Sequence, residues 1–90
     1  MNNKSIHKKE YLQLINVISA ERKRLGLSQA EVAKLLNMSQ SDISKIESTE
    51  RRLDIYELKL FLQVFRIKTN KKLQIDILDY FGLSKEELDS

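Results

Sequence analysis

The 90-residue sequence contains no cysteine, no proline and no tryptophan, and it has a single histidine, His7. Without cysteine the chain cannot form disulfides, thiolate zinc sites or cysteine nucleophiles. One histidine cannot by itself build a metal site, so no metal or other cofactor is expected. No apolar run approaches the roughly 20 residues that cross a bilayer, and the residues after Met1 form no export signal. These absences predict a cytoplasmic protein without a membrane partner.

Enzymatic motifs are missing as well. The sequence shows no paired carboxylates, no nucleophile with a neighbouring base and no Gly-rich phosphate loop, so the chain is not expected to be an enzyme. Its length fits one domain, and 41% apolar with 32% charged residues is a composition that folds. We therefore expect residues 1–90 to form one domain, with residues 1–6 as a flexible arm.

The net charge of +3 is unevenly distributed. Residues 1–27 carry six lysines or arginines against two acidic residues, whereas residues 53–90 carry six against seven. A basic excess near the N-terminus fits a polyanionic partner such as DNA, and it fits a solvated helix surface equally well.

Helix boundaries can be located from caps and stops. The two glycines, Gly26 and Gly82, each follow an apolar periodic segment and are typical of helix ends. A small polar residue stands three positions before an acid at Ser28–Glu31, Ser39–Asp42, Asp54–Glu57 and Ser84–Glu87. This spacing is typical of a capping box, so it predicts four helix starts.

The apolar periodicity fills in the helices between these signals. A first helix is indicated by an apolar stripe, interrupted by Arg22, that keeps helical spacing up to Gly26 and consists of Tyr11, Leu14, Ile15, Ile18 and Leu25. Two short helices, about 29–36 and 40–47, are separated only by Asn37, Met38 and Ser39. Because so short a connection cannot form a long hairpin, the two helices should meet steeply, as in a helix-turn-helix. Asn37 tolerates the left-handed conformation that this turn often needs.

The C-terminal half continues the helical pattern. Residues 55–65 are apolar on more than one face, which indicates a helix with a partner on each side. Residues 70–81 fit either a strand, through alternation of Leu73, Ile75 and Ile77, or a helix ending near Gly82, and the helical context favours the helix. The fold class expected is an all-α bundle of about five helices around a central helix-turn-helix, with residues 66–90 as a helical extension.

The outer face of the 40–47 helix is the candidate functional site. If Ile43 and Ile46 point inward, the residues facing away are Gln40, Ser41, Ser44, Lys45 and Ser48. Glutamine can bond the adenine edge, serine can donate or accept, and lysine can reach guanine or phosphate in a major groove that admits one helix. A polar outer face is also the ordinary state of a surface helix, so this pattern alone does not decide the function.

The segment LGLSQAEVAKLLNMSQSDISKIE, residues 25–47, closely resembles the helix-turn-helix of the phage-repressor family, the lambda-repressor-like Cro/CI or XRE type. Gln29 opens the first motif helix, Ala33 lies at the crossing, and Ser39 with Gln40 opens the second helix. Weaker similarity extends over residues 11–65. The family implies a compact bundle of usually five helices. This chain departs from the family pattern at Asn37, where many members have glycine.

The resemblance also implies residue roles. It places Gln29 near a phosphate and Gln40 and Ser41 toward bases, with Ser44 and Lys45 beside them. The residues predicted to read bases are Gln40, Ser41, Ser44 and Lys45, and those predicted to contact phosphate are Gln29, Ser39, Ser48, Arg51 and Arg52. Arg22 and Glu47 match an ion pair that members often keep partly buried, which predicts a structural role for both.

Three charged residues near this site each have two possible roles. Asp42 could accept a hydrogen bond from cytosine, but a capping role after Ser39 is the simpler interpretation. Arg51 and Arg52 could clamp phosphates, or they could pair with Glu50 or Asp54.

These observations predict a sequence-specific transcriptional regulator of double-stranded DNA, acting as a repressor and homodimer on a palindromic operator. The surplus apolar residues Leu60, Val64, Ile75 and Leu78 are candidates for the dimer contact, and the alternative is that they complete a fuller monomer core. The alternative is an antitoxin or cofactor whose main partner is a protein, which the acidic C-terminal residues favour.

Overall fold

A computed structural model describes residues 8–83, and all the regular structure in that range is helical. The five helices are α1 Lys9–Arg24, α2 Gln29–Leu36, α3 Gln40–Glu47, α4 Ile55–Val64 and α5 Lys71–Tyr80. Helix α2 packs against α3 and α4, and α1 packs against α3 and α5. The expected five-helix bundle is confirmed, and residues 70–81 contain a helix rather than a strand.

Capping boxes fix two of the helix starts. Ser28 accepts the Glu31 amide N–H at 3.0 Å while its own N–H donates to the Glu31 carboxylate at 2.8 Å. Asp54 and Glu57 make the same reciprocal pair at the start of α4. Such a cap contributes on the order of 1 kcal/mol to helix stability.

The predicted box at α3 is only half formed. Ser39 Oγ accepts the Asp42 N–H at 3.0 Å, but the box is not completed by a return bond from Asp42 within the described residues. Aspartate is one methylene shorter than glutamate, so its carboxylate does not reach back to the cap amide. The Ser84–Glu87 box lies outside the described residues.

Left-handed residues end the helices where the sequence predicts stops. Gly26 and Gly82 have φ of 74° and 72°, a conformation that costs glycine nothing. Asn37 ends α2 with φ 58° and ψ 45°, and the Met38 N–H bonds back to the Ala33 carbonyl at 2.8 Å. Asparagine therefore makes the left-handed turn between α2 and α3 that the sequence predicts at this position.

The core draws on all five helices. Its most deeply buried side chains are Ile15, Ile18, Val32, Ile43, Ile46, Phe61, Phe65 and Leu73. Since Leu73 belongs to α5, the first part of the C-terminal extension is built into the domain. The first helix ends one residue earlier than the apolar spacing predicts: α1 ends at Arg24, and Leu25, its C-cap, is 40% exposed where the chain turns away at Gly26.

The apolar surplus of the C-terminal half divides into two groups. Leu60 and Val64 are half-buried and pack against the core, as the monomer reading predicts. Ile75 is 59% exposed, and Leu78 is half-buried. Other large apolar side chains that are more than half exposed are Leu35, Ile55, Tyr56 and Phe81.

Candidate nucleic-acid interface

Helix α3 divides sharply into a buried and an exposed side. Ile43 and Ile46 are completely buried against the other helices. The predicted outer face is exposed along its whole length, at Gln40, Ser41, Ser44, Lys45 and Ser48. The structure therefore brings all four predicted base-reading residues onto one exposed face. A helix held by two fully buried isoleucines is a rigid platform for side chains that must meet base edges.

A buried ion pair anchors the C-terminal end of α3 to α1. Arg22 Nε and Nη2 donate to the two Glu47 carboxylate oxygens at 2.6 and 2.9 Å, and both side chains are about nine-tenths buried. Arg22 Nη1 donates to the Leu27 carbonyl at 2.8 Å, which ties the same guanidinium to the loop before α2. The predicted structural pair is confirmed, and it explains why arginine interrupts the apolar stripe of α1.

Glu47 is ionised within this network. Burial alone would raise the pKa of Glu47, but hydrogen bonds from Arg22 and Gln29, with the Arg22 charge, hold the pKa below its ordinary value. The same network raises the pKa of Arg22, chiefly through its hydrogen bond to Glu47. Neither charge is therefore available for DNA, and both serve to hold α3 in place.

Gln29 is half-buried, and its Nε2 donates to Glu47 Oε1 at 3.1 Å. The first residue of α2 is thereby linked to the last residue of α3, a contact that the sequence did not reveal. A primary amide has two N–H groups and a carbonyl, so this bond leaves capacity for a phosphate. The contact fixes the direction in which the Gln29 amide points.

The two flanking serines have local roles. Ser39 caps α3 through its hydroxyl oxygen, as described above. Ser48 Oγ lies 2.9 Å from Glu50 Oε2 and 3.3 Å from the Lys45 carbonyl, so its single proton has two acceptors nearby. Both hydroxyls are exposed at the ends of the face, although neither is without a partner in the protein.

Arg51 and Arg52 are both held by protein groups, but not by the predicted ones. Arg51 forms two bonds with the Glu57 carboxylate, at 2.9 and 2.6 Å, rather than pairing with Glu50 or Asp54. The Arg52 guanidinium lies 5.2 Å from the centroid of the Tyr11 ring, a cation–π geometry.

The Arg51 pair has an electrostatic signature. The hydrogen bond from Arg51 holds the pKa of Glu57 below its ordinary value, and the same bond raises the pKa of Arg51. Glu57 lies in the first turn of α4, where its carboxylate also accepts the Asp54 N–H, and spacing predicted this position but not the pairing with Arg51. Arg51 is thus oriented in advance, with its side chain 35% exposed.

Comparison with protein families identifies the chain. A family model described as helix-turn-helix matches residues 18–71, which is more than half of the sequence. The chain belongs to the helix-turn-helix family of the Cro/CI or XRE type. No curated protein matches it. The matched range includes α2, α3 and α4, and it makes this helix-turn-helix protein a DNA-binding transcription regulator of the XRE type.

The described part of this helix-turn-helix protein lacks the features of two other kinds of site. No helix within residues 8–83 is long and apolar enough to cross a membrane. Over the same range, no three histidine, cysteine, aspartate or glutamate residues are grouped as a metal site. His7 and the predicted arm, residues 1–6, lie outside the described residues.

Proposed function

We propose that this regulator binds double-stranded DNA sequence-specifically, and that Gln40, Ser41, Ser44 and Lys45 read the bases. The observation that carries the proposal is the division of α3 into a fully buried apolar side and a fully exposed polar side. Three of these four residues are neutral, so they contribute discrimination by hydrogen bonding more than general attraction to phosphate.

The phosphate contacts are proposed to flank this face. The candidates are Gln29, Ser39, Ser48, Arg51 and Arg52. Arg51 has the clearest support, because its bidentate pair with Glu57 fixes a guanidinium at the loop that follows α3. An arginine ordered in this way loses less side-chain entropy when it meets a phosphate. Gln29 is supported by its position at the start of α2, where the helix dipole favours an anion.

We further propose a homodimer that represses transcription from a palindromic operator in the cytoplasm. One recognition helix reads few base pairs, and two related by a two-fold axis would read half-sites about 34 Å apart. Among the described residues, the apolar surface best suited to a second copy is a groove lined by Ile55, Tyr56, Leu62 and Phe81. Ile55 is 78% exposed, which is an unfavourable position for isoleucine in a monomer.

Oligomeric state tests this dimer surface against the one predicted from sequence. We expect Ile55→Asp combined with Phe81→Asp to give a monomer by light scattering at micromolar concentration, while Ile75→Asp leaves the dimer intact. The reverse pattern would assign the contact to α5 through Ile75. A wild-type protein that is monomeric both in solution and on DNA would contradict the dimer itself.

Selection of bound sites from random duplexes tests the function. We expect enrichment of a defined sequence in two inverted copies, spaced by about one helical turn. Equal binding of selected and random duplexes would contradict base reading. No catalytic activity and no cofactor form part of this proposal.

A further inference from the structure

A second surface of the protein combines positive charge with exposed apolar side chains. It is a depression of about 620 Å³ between the end of α1, the outer side of α2 and the turn joining α4 to α5. We call it the basic groove, and its lining includes Arg24, Leu25, Leu35, Arg66, Lys71 and Lys72. None of its lining residues belongs to α3 or to the loop that follows α3, so it is separate from the proposed base-reading face.

The positive charge of the basic groove is only half neutralised. Arg24 is paired with the buried Glu21, and Lys72 is paired with Asp76 at 2.8 Å. For Arg66 and Lys71, residues 8–83 provide no carboxylate within salt-bridge distance. Both side chains belong to exposed residues. An excess of two positive charges therefore lies at one edge of the groove.

The position of the lysines strengthens this potential. Lys71 and Lys72 occupy the first turn of α5, where the helix dipole already presents its positive end. Helices α2 and α4 carry glutamate in that turn, but α5 has no acidic residue there. This arrangement is electrostatically unfavourable in the isolated domain and becomes favourable when negative groups approach.

The floor of the groove is apolar and open. Leu25 is 40% exposed and Leu35 is 61% exposed, and Val64 is half-buried beside them. Small-molecule sites usually enclose most of the ligand surface, which side chains this exposed cannot do. A chain segment lying across the groove would cover both leucines without needing an enclosed cavity.

One wall of the groove is rigid. The buried Glu21 carboxylate accepts bonds from Arg24 Nε at 2.9 Å and from Asn70 Nδ2 at 2.5 Å. Asn70 also donates to the Phe65 carbonyl at 2.9 Å and caps α5 through Leu73 N–H at 3.1 Å. The end of α1 and the start of α5 are thereby held together, so a partner meets a preformed surface.

We propose that the basic groove docks an acidic segment of a partner protein. Carboxylates of the segment pair with Arg66 and Lys71, and an apolar side chain of the segment covers Leu25 and Leu35. This complementarity of charge and apolar contact selects a protein segment over a nucleic acid, because a phosphate backbone leaves the two leucines uncovered. The groove shares no residue with α3.

A displayed library of random peptides tests this proposal on the full chain. Selection on the wild-type protein is expected to enrich peptides that combine aspartate or glutamate with leucine or a similar apolar residue. The Arg66→Glu/Lys71→Glu variant should bind the enriched peptides about tenfold more weakly, a change of about 1.4 kcal/mol. Leu35→Ser should weaken them by a smaller factor without changing any charge.

The matched control is Lys8→Glu/Lys9→Glu, which makes the same change in net charge at the start of α1. It should alter peptide affinity less than about twofold if the attraction is local. Thermal melts of every variant establish that it is folded, as expected for substitutions of exposed residues.

Four results would overturn the proposal. The first two are a selection that enriches no peptide and a selection that enriches peptides without acidic residues. The third is an equal loss of peptide affinity in the groove variant and in the control. The fourth is a loss of duplex DNA affinity in the groove variant as large as its loss of peptide affinity. The last result would assign the groove to the DNA backbone instead.

Discussion

Two consecutive residues of α1, Glu21 and Arg22, are buried, and each anchors a different side of the molecule. Arg22 pairs with Glu47 and holds α3, the helix proposed to read DNA. Glu21 accepts bonds from Arg24 and Asn70 and holds the start of α5. The difference lies in what surrounds each network. Around Arg22–Glu47 the exposed side chains are largely neutral and polar, whereas near Glu21 lie Arg66 and Lys71, for which residues 8–83 provide no carboxylate within salt-bridge distance.

The comparison shows how charge is divided between support and recognition in this small domain. On the α3 side, Arg22 and Glu47 neutralise each other inside the protein, which leaves the outer face to hydrogen-bonding groups. On the α5 side, Glu21 neutralises Arg24, but no acidic side chain within residues 8–83 neutralises Arg66 or Lys71, the two cations proposed to meet a partner. Conspicuous charges in a sequence are therefore poor guides to the recognition surface unless their partners are known.

Acid should produce the largest loss of stability, because it protonates carboxylates in both networks together. Glu21, Glu47 and Glu57 have pKa values below the ordinary value of 4.5 in the folded protein. As the pH falls, the carboxylates of the unfolded chain take up protons first. The stability that these ionised carboxylates contribute is therefore fully present above pH 4.5, and it is lost as the pH falls through their lowered pKa values in the folded protein. We expect the melting temperature to be steady near neutrality and to fall steeply in acid. A melting temperature unchanged to about pH 3 would contradict ionised carboxylates in these networks.

Glu47→Ala breaks the α3 side alone. It leaves the Arg22 guanidinium buried without its partner, and we expect it to lower the free energy of unfolding by about 3 kcal/mol. Chemical denaturation measures this loss. Replacing both residues, with Arg22→Met and Glu47→Leu, should be less harmful, because no buried charge is then left alone. If the double variant is as unstable as Glu47→Ala, the unpaired arginine is not the cause.

Glu21→Ala breaks the α5 side alone. Arg24 is partly exposed and can be solvated, so the expected loss in unfolding free energy is smaller, about 2 kcal/mol, and comes mainly from the Asn70 amide and the packing of Glu21. The folded fraction should keep its DNA affinity, since α3 is not attached through this network. A loss of DNA affinity at temperatures where the variant is folded would show that the two sides are coupled.

Gln40→Ala should leave stability almost unchanged, because Gln40 is exposed, and should weaken binding to the selected operator by about 1.5 kcal/mol. The weakening should relax preference at one position in each half-site. Gln13→Ala, at an exposed position of α1, is the matched glutamine control. Equal effects of the two glutamine substitutions would remove the special role of α3.

Lys45→Ala tests the one charged member of the proposed base-reading set, and we expect it to change base preference less than Gln40→Ala does, because lysine can reach either guanine or phosphate. If Lys45 contacts phosphate rather than a base, the variant weakens all duplexes alike and lowers the salt dependence of binding by about one counterion. Titrations at several salt concentrations measure that slope. An unchanged slope with a changed base preference would assign Lys45 to direct reading of bases.

Much of the fold was predictable because local signals agree with one another. The caps at Ser28 and Asp54, the stops at Gly26 and Gly82, and the inward positions of Ile43 and Ile46 all depend on neighbouring residues. Each signal involves only a few neighbouring positions, so it can be interpreted from the sequence without knowledge of the tertiary structure.

The long-range contacts were harder to predict. The partners of Arg51 and Arg52 depend on how the loop after α3 folds toward α4 and α1, which spacing does not specify. The link between Gln29 and Glu47 spans two helices, and the cluster of Glu21, Arg24 and Asn70 joins residues far apart in the chain. Arg22–Glu47 was anticipated only because family resemblance supplied the pairing.

The most direct test of the central claim is the ratio of affinities for a selected operator and a random duplex, measured for the wild type, Gln40→Ala/Ser44→Ala and Glu21→Ala under one salt condition. The account predicts that the wild type and Glu21→Ala share a high ratio. For the α3 double variant, the affinity for the operator should fall toward its affinity for random DNA, so that its ratio approaches one. A ratio that is retained after both α3 residues are removed would contradict base reading by the exposed face of α3.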